Sequence, residues 1–224
     1  MKPRIKLAST ATLEGGAMAL YEQDGAFSVN FEGQELMHSK ASASETLLGL
    51  ISVERLEGKS DTRTLVGGLG LGYTLRSILE STSEQATVEV AELIPDVVQW
   101  NKTHLKKLNG SLLEDPRVKI RIEDVARIIQ DAVPETYDAM ALDVDNGPVA
   151  MVSDNNFSLY SKSGIQSIYT ALKPQGRVVF WSAGPDKKFE ERLGKTDLKV
   201  TLVPAKVSEG ARRAAYLLYV ADKV

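Results

Sequence analysis

Thr64-Leu65-Val66-Gly67-Gly68-Leu69-Gly70-Leu71-Gly72-Tyr73 is the stretch that decides the fold. A short apolar run enters a cluster of glycines, and from Leu71 to Leu79 the apolar spacing turns helical. That is how a buried parallel strand hands over to a helix through a tight turn. Glycines there let the backbone take positive φ and let a ligand lie against the main chain, while the N–H groups opening the helix attract a polar or anionic group. A nucleotide or nucleoside site is the first expectation, against the plainer reading of a turn that serves packing alone. The dinucleotide fingerprint G-x-G-x-x-G fails, because its third glycine falls on Tyr73 or Leu75. What remains is G-x-G-x-G at Gly68, Gly70 and Gly72.

That spacing resembles the first motif of S-adenosylmethionine-dependent transferases. Downstream, short apolar runs alternate with helical patterns: strands at Val88–Glu92, Val118–Ile122, Tyr137–Leu142 and Arg177–Trp181, helices at Pro95–Leu108, about Val125–Asp131 and about Ser161–Leu172. Alternation of this kind predicts a parallel, doubly wound sheet. Strand-like runs at Lys199–Val203 and Ala214–Val220 predict a closing antiparallel pair, seven strands in all. Upstream, residues 1 to about 40 alternate apolar and polar, with turn signals at Asp24-Gly25 and Glu32-Gly33. They predict three or four short antiparallel strands, a unit too small to hold a core alone. Ser42 or Ser44 is placed to cap a helix over Glu45–Leu56. The expected division is a β element at 1–43 and a nucleoside-binding domain at 44–224.

The whole chain narrows the function. It has 224 residues, a net charge of −3 with both signs interspersed, no cysteine and two histidines far apart, His38 and His104. With no basic face, nucleic acid is an unexpected partner, and with no clustered ligands a metal is too. No run of about 18 apolar residues and no signal-peptide core are present, so a membrane is not expected and a cytoplasmic protein is. A small β element that must bury one face is compatible with a homodimer.

In an open α/β sheet the ligand lies beyond the carboxyl ends of the strands. Those ends carry acids. Glu92 stands about 20 residues past the glycine turn, where a carboxylate can accept from both ribose hydroxyls. Asp124 follows the next strand and can meet an adenine amino group, cap the helix that starts there, or both. Asp143 and Asp145, at Leu142-Asp143-Val144-Asp145-Asn146-Gly147-Pro148, are two acids close together at a buried strand end. That is costly unless a cation such as a sulfonium or protonated amine lies near. Asp-Asn-Gly-Pro is also strong turn chemistry. Tyr160 and Trp181 are candidate acceptor-site residues, each with packing as the bland alternative.

The order of motifs resembles that of the spermidine synthases, the polyamine aminopropyltransferases. The matching pieces are the Gly67–Gly72 turn, Val90-Ala91-Glu92-Leu93-Ile94-Pro95-Asp96, Asp115-Pro116-Arg117-Val118 with Glu123-Asp124, and Tyr137-Asp138 leading to Asp143 and Gly147-Pro148. The resemblance implies a Rossmann-like class I S-adenosylmethionine fold behind a small β domain. It implies a nucleoside ligand: S-adenosylmethionine, its decarboxylated form, or methylthioadenosine as product, with no metal. The departures fall on the polyamine half of the site. Leu69 stands where the family carries an aspartate for the donor's ammonium, Ile94 stands where it has an acid after the strand-end glutamate, and Ala43 replaces a tyrosine. Trp181 replaces a glutamine, and Asp145 comes one residue early.

An ammonium left without its acid in a partly buried site binds poorly. The sequence therefore puts methyl transfer from S-adenosylmethionine to a small-molecule acceptor first, with Asp143 positioning or deprotonating the acceptor. Aminopropyl transfer from the decarboxylated donor to an amine comes second, with Asp143 and Asp145 holding it. A non-catalytic nucleoside-binding protein is the third reading.

Overall fold

The computed structural model describes residues 2–12, 15–144 and 158–224. Four strands open the chain: β1 (Ile5–Ala11), β2 (Ala17–Gln23), β3 (Ala26–Phe31) and β4 (Gln34–His38), an antiparallel meander in that order. Both tight turns have positive φ at their two central residues, 51° and 80° at Asp24-Gly25 and 47° and 80° at Glu32-Gly33. That twist matches the strands they join, which is why those dipeptides signalled hairpins.

A helix, α1 (Ala43–Val53), leads to β5 (Arg63–Gly67), α2 (Tyr73–Glu80), β6 (Thr87–Glu92), α3 (Pro95–Lys102) and the short α4 (Lys106–Asn109). There follow β7 (Val118–Ile122), α5 (Val125–Gln130), β8 (Tyr137–Leu142), α6 (Lys162–Ala171), β9 (Leu172–Ser182), α7 (Lys187–Leu193), β10 (Leu198–Ala205) and β11 (Tyr216–Lys223). The second sheet has seven strands in the order β10-β11-β9-β8-β5-β6-β7. β5 to β9 run parallel, while β11 pairs antiparallel with β9 and β10 antiparallel with β11.

Successive residues on these strands point to opposite faces and so build two cores. Val66, Val88, Val90, Ala139, Val179 and Leu218 face the side that carries α1 to α3, together with Leu20, Phe27 and Val29 of the small sheet. Leu65, Met140, Leu142, Phe180 and Tyr219 face α5, α6 and α7. The small sheet thus finishes the first core, and the Thr10 hydroxyl donates to the Asp96 carboxylate at 2.7 Å at the start of α3.

Three local expectations change. Ser42 occupies the N-cap of α1 without a capping bond from its side chain, and the Ser44 hydroxyl goes to Glu45. The helix expected over Pro95–Leu108 breaks at Thr103, where the Trp100 carbonyl takes the N–H groups of both Thr103 and Leu105. α7 was not expected, because only Phe189 and Leu193 give its mostly charged sequence an apolar face. No helix among the described residues is long and apolar enough to cross a membrane.

The Asp-Pro-Arg-Val stretch has a structural job. Arg117 grips Asp115 with two nitrogens, Nε at 3.0 Å and Nη2 at 2.8 Å, and its Nη1 donates to the carbonyls of Leu79 in the last turn of α2 and of Thr82 and Ser83 just beyond it. Charge-assisted bonds to orphaned helix carbonyls are among the stronger ones. Arg117→Ala is expected to cost about 2–3 kcal/mol and to lower the melting temperature by roughly 4–10 °C, read by calorimetry.

Candidate active site

β5 is flanked by β6 on one side and β8 on the other, so the chain leaves its carboxyl end at a topological switch point. A cavity of about 210 Å³ opens there. The glycine turn forms its floor, the ends of β6, β7 and β8 form one wall, and β2, β4 and the start of α1 form the roof.

Gly68, Gly70 and Gly72 all have positive φ, 88°, 50° and 86°. A side chain at Gly70 would come within 3.2 Å of the Met37 sulfur, so β4 lies directly on the turn. Behind the turn, Asn101 of α3 donates to the Gly70 carbonyl at 2.9 Å and accepts from Asn109 at 2.6 Å. Arg76 continues the chain by donating to Asn109 and to the Leu108 carbonyl. Asn101 escaped the sequence reading, although a polar residue on the buried face of Val97, Val98 and Trp100 is a signal of such a role.

Glu92 is 8% exposed. One carboxylate oxygen accepts the Leu69 N–H at 3.0 Å and the other accepts the Ile94 N–H at 2.9 Å, which ties the end of β6 to the turn. Burial pushes this carboxyl above the usual carboxylate range, and the backbone donors pull against that. Asp124 caps α5 by accepting the Ala126 N–H at 2.8 Å, the second of its expected roles, and it is also part of the cavity lining.

Asp143 follows β8, its N–H bonded to the Gly67 carbonyl at 2.9 Å and its side chain in the cavity lining. Glu45 of α1 and Tyr216 of β11 belong to the same lining, and the charges of Glu45 and Asp143 both reach the Tyr216 phenol. Burial pushes the Glu45 carboxyl up, opposed by the Ser44 hydroxyl that donates to it at 2.7 Å. The Tyr216 phenol is held above the usual tyrosine range, first by burial, then by the negative charges of Glu45 and Asp143. Trp181 lines the same end with its ring 4.7 Å from that of Tyr216.

Tyr160 lies elsewhere. It is 4% exposed, packs edge-on against Phe189 at 5.1 Å, and donates its hydroxyl to the Val144 carbonyl at 3.0 Å. It steadies the residue after Asp143 and does not line the cavity. Asp145, Gly147 and Pro148 fall outside the described residues. Tyr216 went unread because nothing local distinguishes it from any aromatic residue opening a strand.

The charge of the lining is one-sided. Among the described residues it holds Glu45, Glu92, Glu123, Asp124 and Asp143, with His38 as the sole basic side chain and no lysine or arginine. Carboxylates that burial disfavours as anions gain most from a cationic neighbour. No group of three or more His, Asp or Glu side chains able to hold a metal occurs among the described residues.

The family model described as the spermine/spermidine synthase domain matches residues 53–195. A polyamine aminopropyltransferase of Pyrobaculum aerophilum is 30% identical over 117 residues, 51% of this chain and 39% of the relative. One from Korarchaeum cryptofilum is 29% identical over 135 residues, 60% of this chain and 38% of the relative. The chain therefore spans about two fifths of the length of these curated relatives. Among solved structures, the spermidine synthase of Thermotoga maritima superposes with a TM-score of 0.75 at 18% identity, covering 98% of this chain and 72% of that one. A probable spermidine synthase of Corynebacterium glutamicum gives 0.68 at 15% identity, covering 99% and 81%. At such identities the likeness shows the fold.

Proposed function

Because the chain belongs to the spermine/spermidine synthase domain family, we propose that it transfers the aminopropyl group of decarboxylated S-adenosylmethionine to an amine acceptor. The observation that carries this reading is the acid-lined cavity without lysine or arginine. Both proposed substrates are cationic, and nothing in the lining among the described residues offers a strong cation to the carboxylate of intact S-adenosylmethionine. The order drawn from the sequence, with methyl transfer first, is thereby reversed.

In this reading the glycine turn and Glu92 take the ribose, and Asp124 takes the adenine amino group. The acceptor's neutral nitrogen attacks the carbon next to the sulfonium. A C–N bond forms as the C–S bond breaks, and its electron pair returns to sulfur as methylthioadenosine leaves. Asp143 takes the proton that the new ammonium sheds, with Asp145 as a proposed second acid. Because the sulfonium is already activated, the protein's work is in-line positioning and proton removal.

One observation favours methyl transfer instead. Leu69, 4% exposed, lies in the turn where an ammonium-binding acid is expected from the family resemblance. The two readings separate in one assay. The protein is incubated with putrescine and either donor, and the release of methylthioadenosine or S-adenosylhomocysteine is measured by chromatography. Methylthioadenosine from the decarboxylated donor supports aminopropyl transfer, while the homocysteine product alone supports methylation. Leu69→Asp is expected to shift kcat/KM toward the decarboxylated donor by roughly 10- to 100-fold, since it restores a charge-assisted partner for the ammonium. An unchanged donor ratio would show that the ammonium is held elsewhere.

A further inference from the structure

Four tyrosine hydroxyls near the large sheet are tied into the fold. Tyr73 donates to the Ser39 carbonyl at 2.8 Å, Tyr137 to Glu89 at 3.0 Å and Tyr160 to the Val144 carbonyl at 3.0 Å, while Tyr219 accepts the Asp186 N–H at 2.7 Å. The Tyr216 hydroxyl has no hydrogen-bond partner among the described residues. Its place is nonetheless fixed. The pairing of β11 with β10 sets Tyr216 opposite Ala205, and its ring rests on Trp181. The side chain lines the cavity at the end that also holds Glu45 and Asp143.

From this placement we infer that Tyr216 is a residue of the acceptor site, whose phenol oxygen accepts an N–H of the incoming amine while its own O–H turns to a neighbouring carboxylate. The inference rests on the proposed transfer to an amine. A phenol suits the task better than a third carboxylate would. Another negative charge beside the nitrogen would favour the protonated ammonium, which has no lone pair with which to attack. A neutral hydroxyl can both donate and accept, and so orients the nitrogen without adding charge. Glu45 supplies the attraction for a cation entering the cavity, Asp143 receives the proton, and Tyr216 sets the direction of the lone pair. Trp181 holds the phenol ring in place.

The test compares the full chain with Tyr216→Phe, which keeps the ring on Trp181, and Tyr216→Leu, which removes both ring and hydroxyl. With putrescine as the amine, Tyr216→Phe is expected to lower kcat/KM for the amine roughly 10- to 100-fold, mostly through KM, with methylthioadenosine affinity unchanged. Wild-type kinetics in Tyr216→Phe, with loss only in Tyr216→Leu, would reduce the residue to packing and overturn the inference. So would an equal loss of methylthioadenosine binding. If the wild-type protein shows no transfer at all, the proposed function fails, and the inference is read separately by calorimetric titration of putrescine into protein saturated with methylthioadenosine. Weaker putrescine binding by Tyr216→Phe supports it there. Equal binding, or none by the wild type, overturns it.

Discussion

Asp143→Asn should keep its fold and its affinity for methylthioadenosine and lose transfer to amines by about 100- to 10,000-fold. The substitution changes little in shape. The residue's backbone contributes the bond from its N–H to the Gly67 carbonyl at 2.9 Å, and an asparagine makes that bond equally well. What goes is a carboxylate able to accept the proton that a new C–N bond forces off nitrogen. An amide accepts no proton near neutral pH, so the step would have to release it to water across a partly enclosed cavity. A second effect acts the same way, because the carboxylate also attracts the positive charge of both proposed substrates. The measurement is single-turnover transfer alongside a thermal shift with methylthioadenosine. Loss of turnover with an unchanged thermal shift places Asp143 in the chemistry, whereas turnover within an order of magnitude of wild type would move the base elsewhere, to Glu45 or Asp145. Loss of the thermal shift along with turnover would assign the residue to nucleoside binding.

The fold was legible where backbone geometry dictates residue type. Gly68, Gly70 and Gly72 sit at positive φ, and the hairpin dipeptides Asp24-Gly25 and Glu32-Gly33 do too, so the turns were written in residues that few others can replace. The central strands were legible because β5 and β8 are buried on both faces, which makes Leu65-Val66 and Ala139-Met140-Ala141-Leu142 continuous apolar runs. α7 was not, since two apolar residues four apart carry no periodicity, and its burial depends on Tyr160, Phe180 and Tyr219 arriving from other elements.

The same division runs through the site. Glu92, Asp124 and Asp143 follow from one topological rule, that ligands lie beyond strand ends, and each stands in the cavity wall. Glu45 and Tyr216 come from a helix and an antiparallel strand that reach the cavity only through tertiary packing. No spacing in the sequence relates them. The Leu69 departure was visible, but the acidity of the lining as a whole was not, because it sums residues from α1, β6, β7 and β8. That sum is what turns the preferred reading from methyl to aminopropyl transfer. Arg117 shows the converse: a stretch that resembles a family motif is accounted for here by holding the end of α2.

Gly68→Ala should unfold at a temperature roughly 5–12 °C lower and bind methylthioadenosine at least about 100-fold more weakly. Two costs coincide at this residue. Its φ of +88° is one that an L side chain adopts only with strain, worth about 1–3 kcal/mol. An added Cβ would also lie 2.7 Å from the Asp143 carbonyl oxygen, closer than such contacts occur. Neither partner yields easily. Gly68 is fixed by its N–H to the Ala91 carbonyl at 3.0 Å, and Asp143 by its own N–H to Gly67. Relief must therefore spread the ends of β5 and β8 apart, and those ends are the floor and wall of the cavity. Gly58→Ala provides the control. Its φ of +74° carries similar strain, but an added Cβ there meets nothing within 4 Å. That variant should lose only the strain and keep its ligand affinity, so the difference between the two isolates the close approach of the turn to Asp143. Gly68→Ala with wild-type affinity would mean that the nucleoside does not lie against this turn, and the assignment of Glu92 and Asp124 to the nucleoside would fall with it.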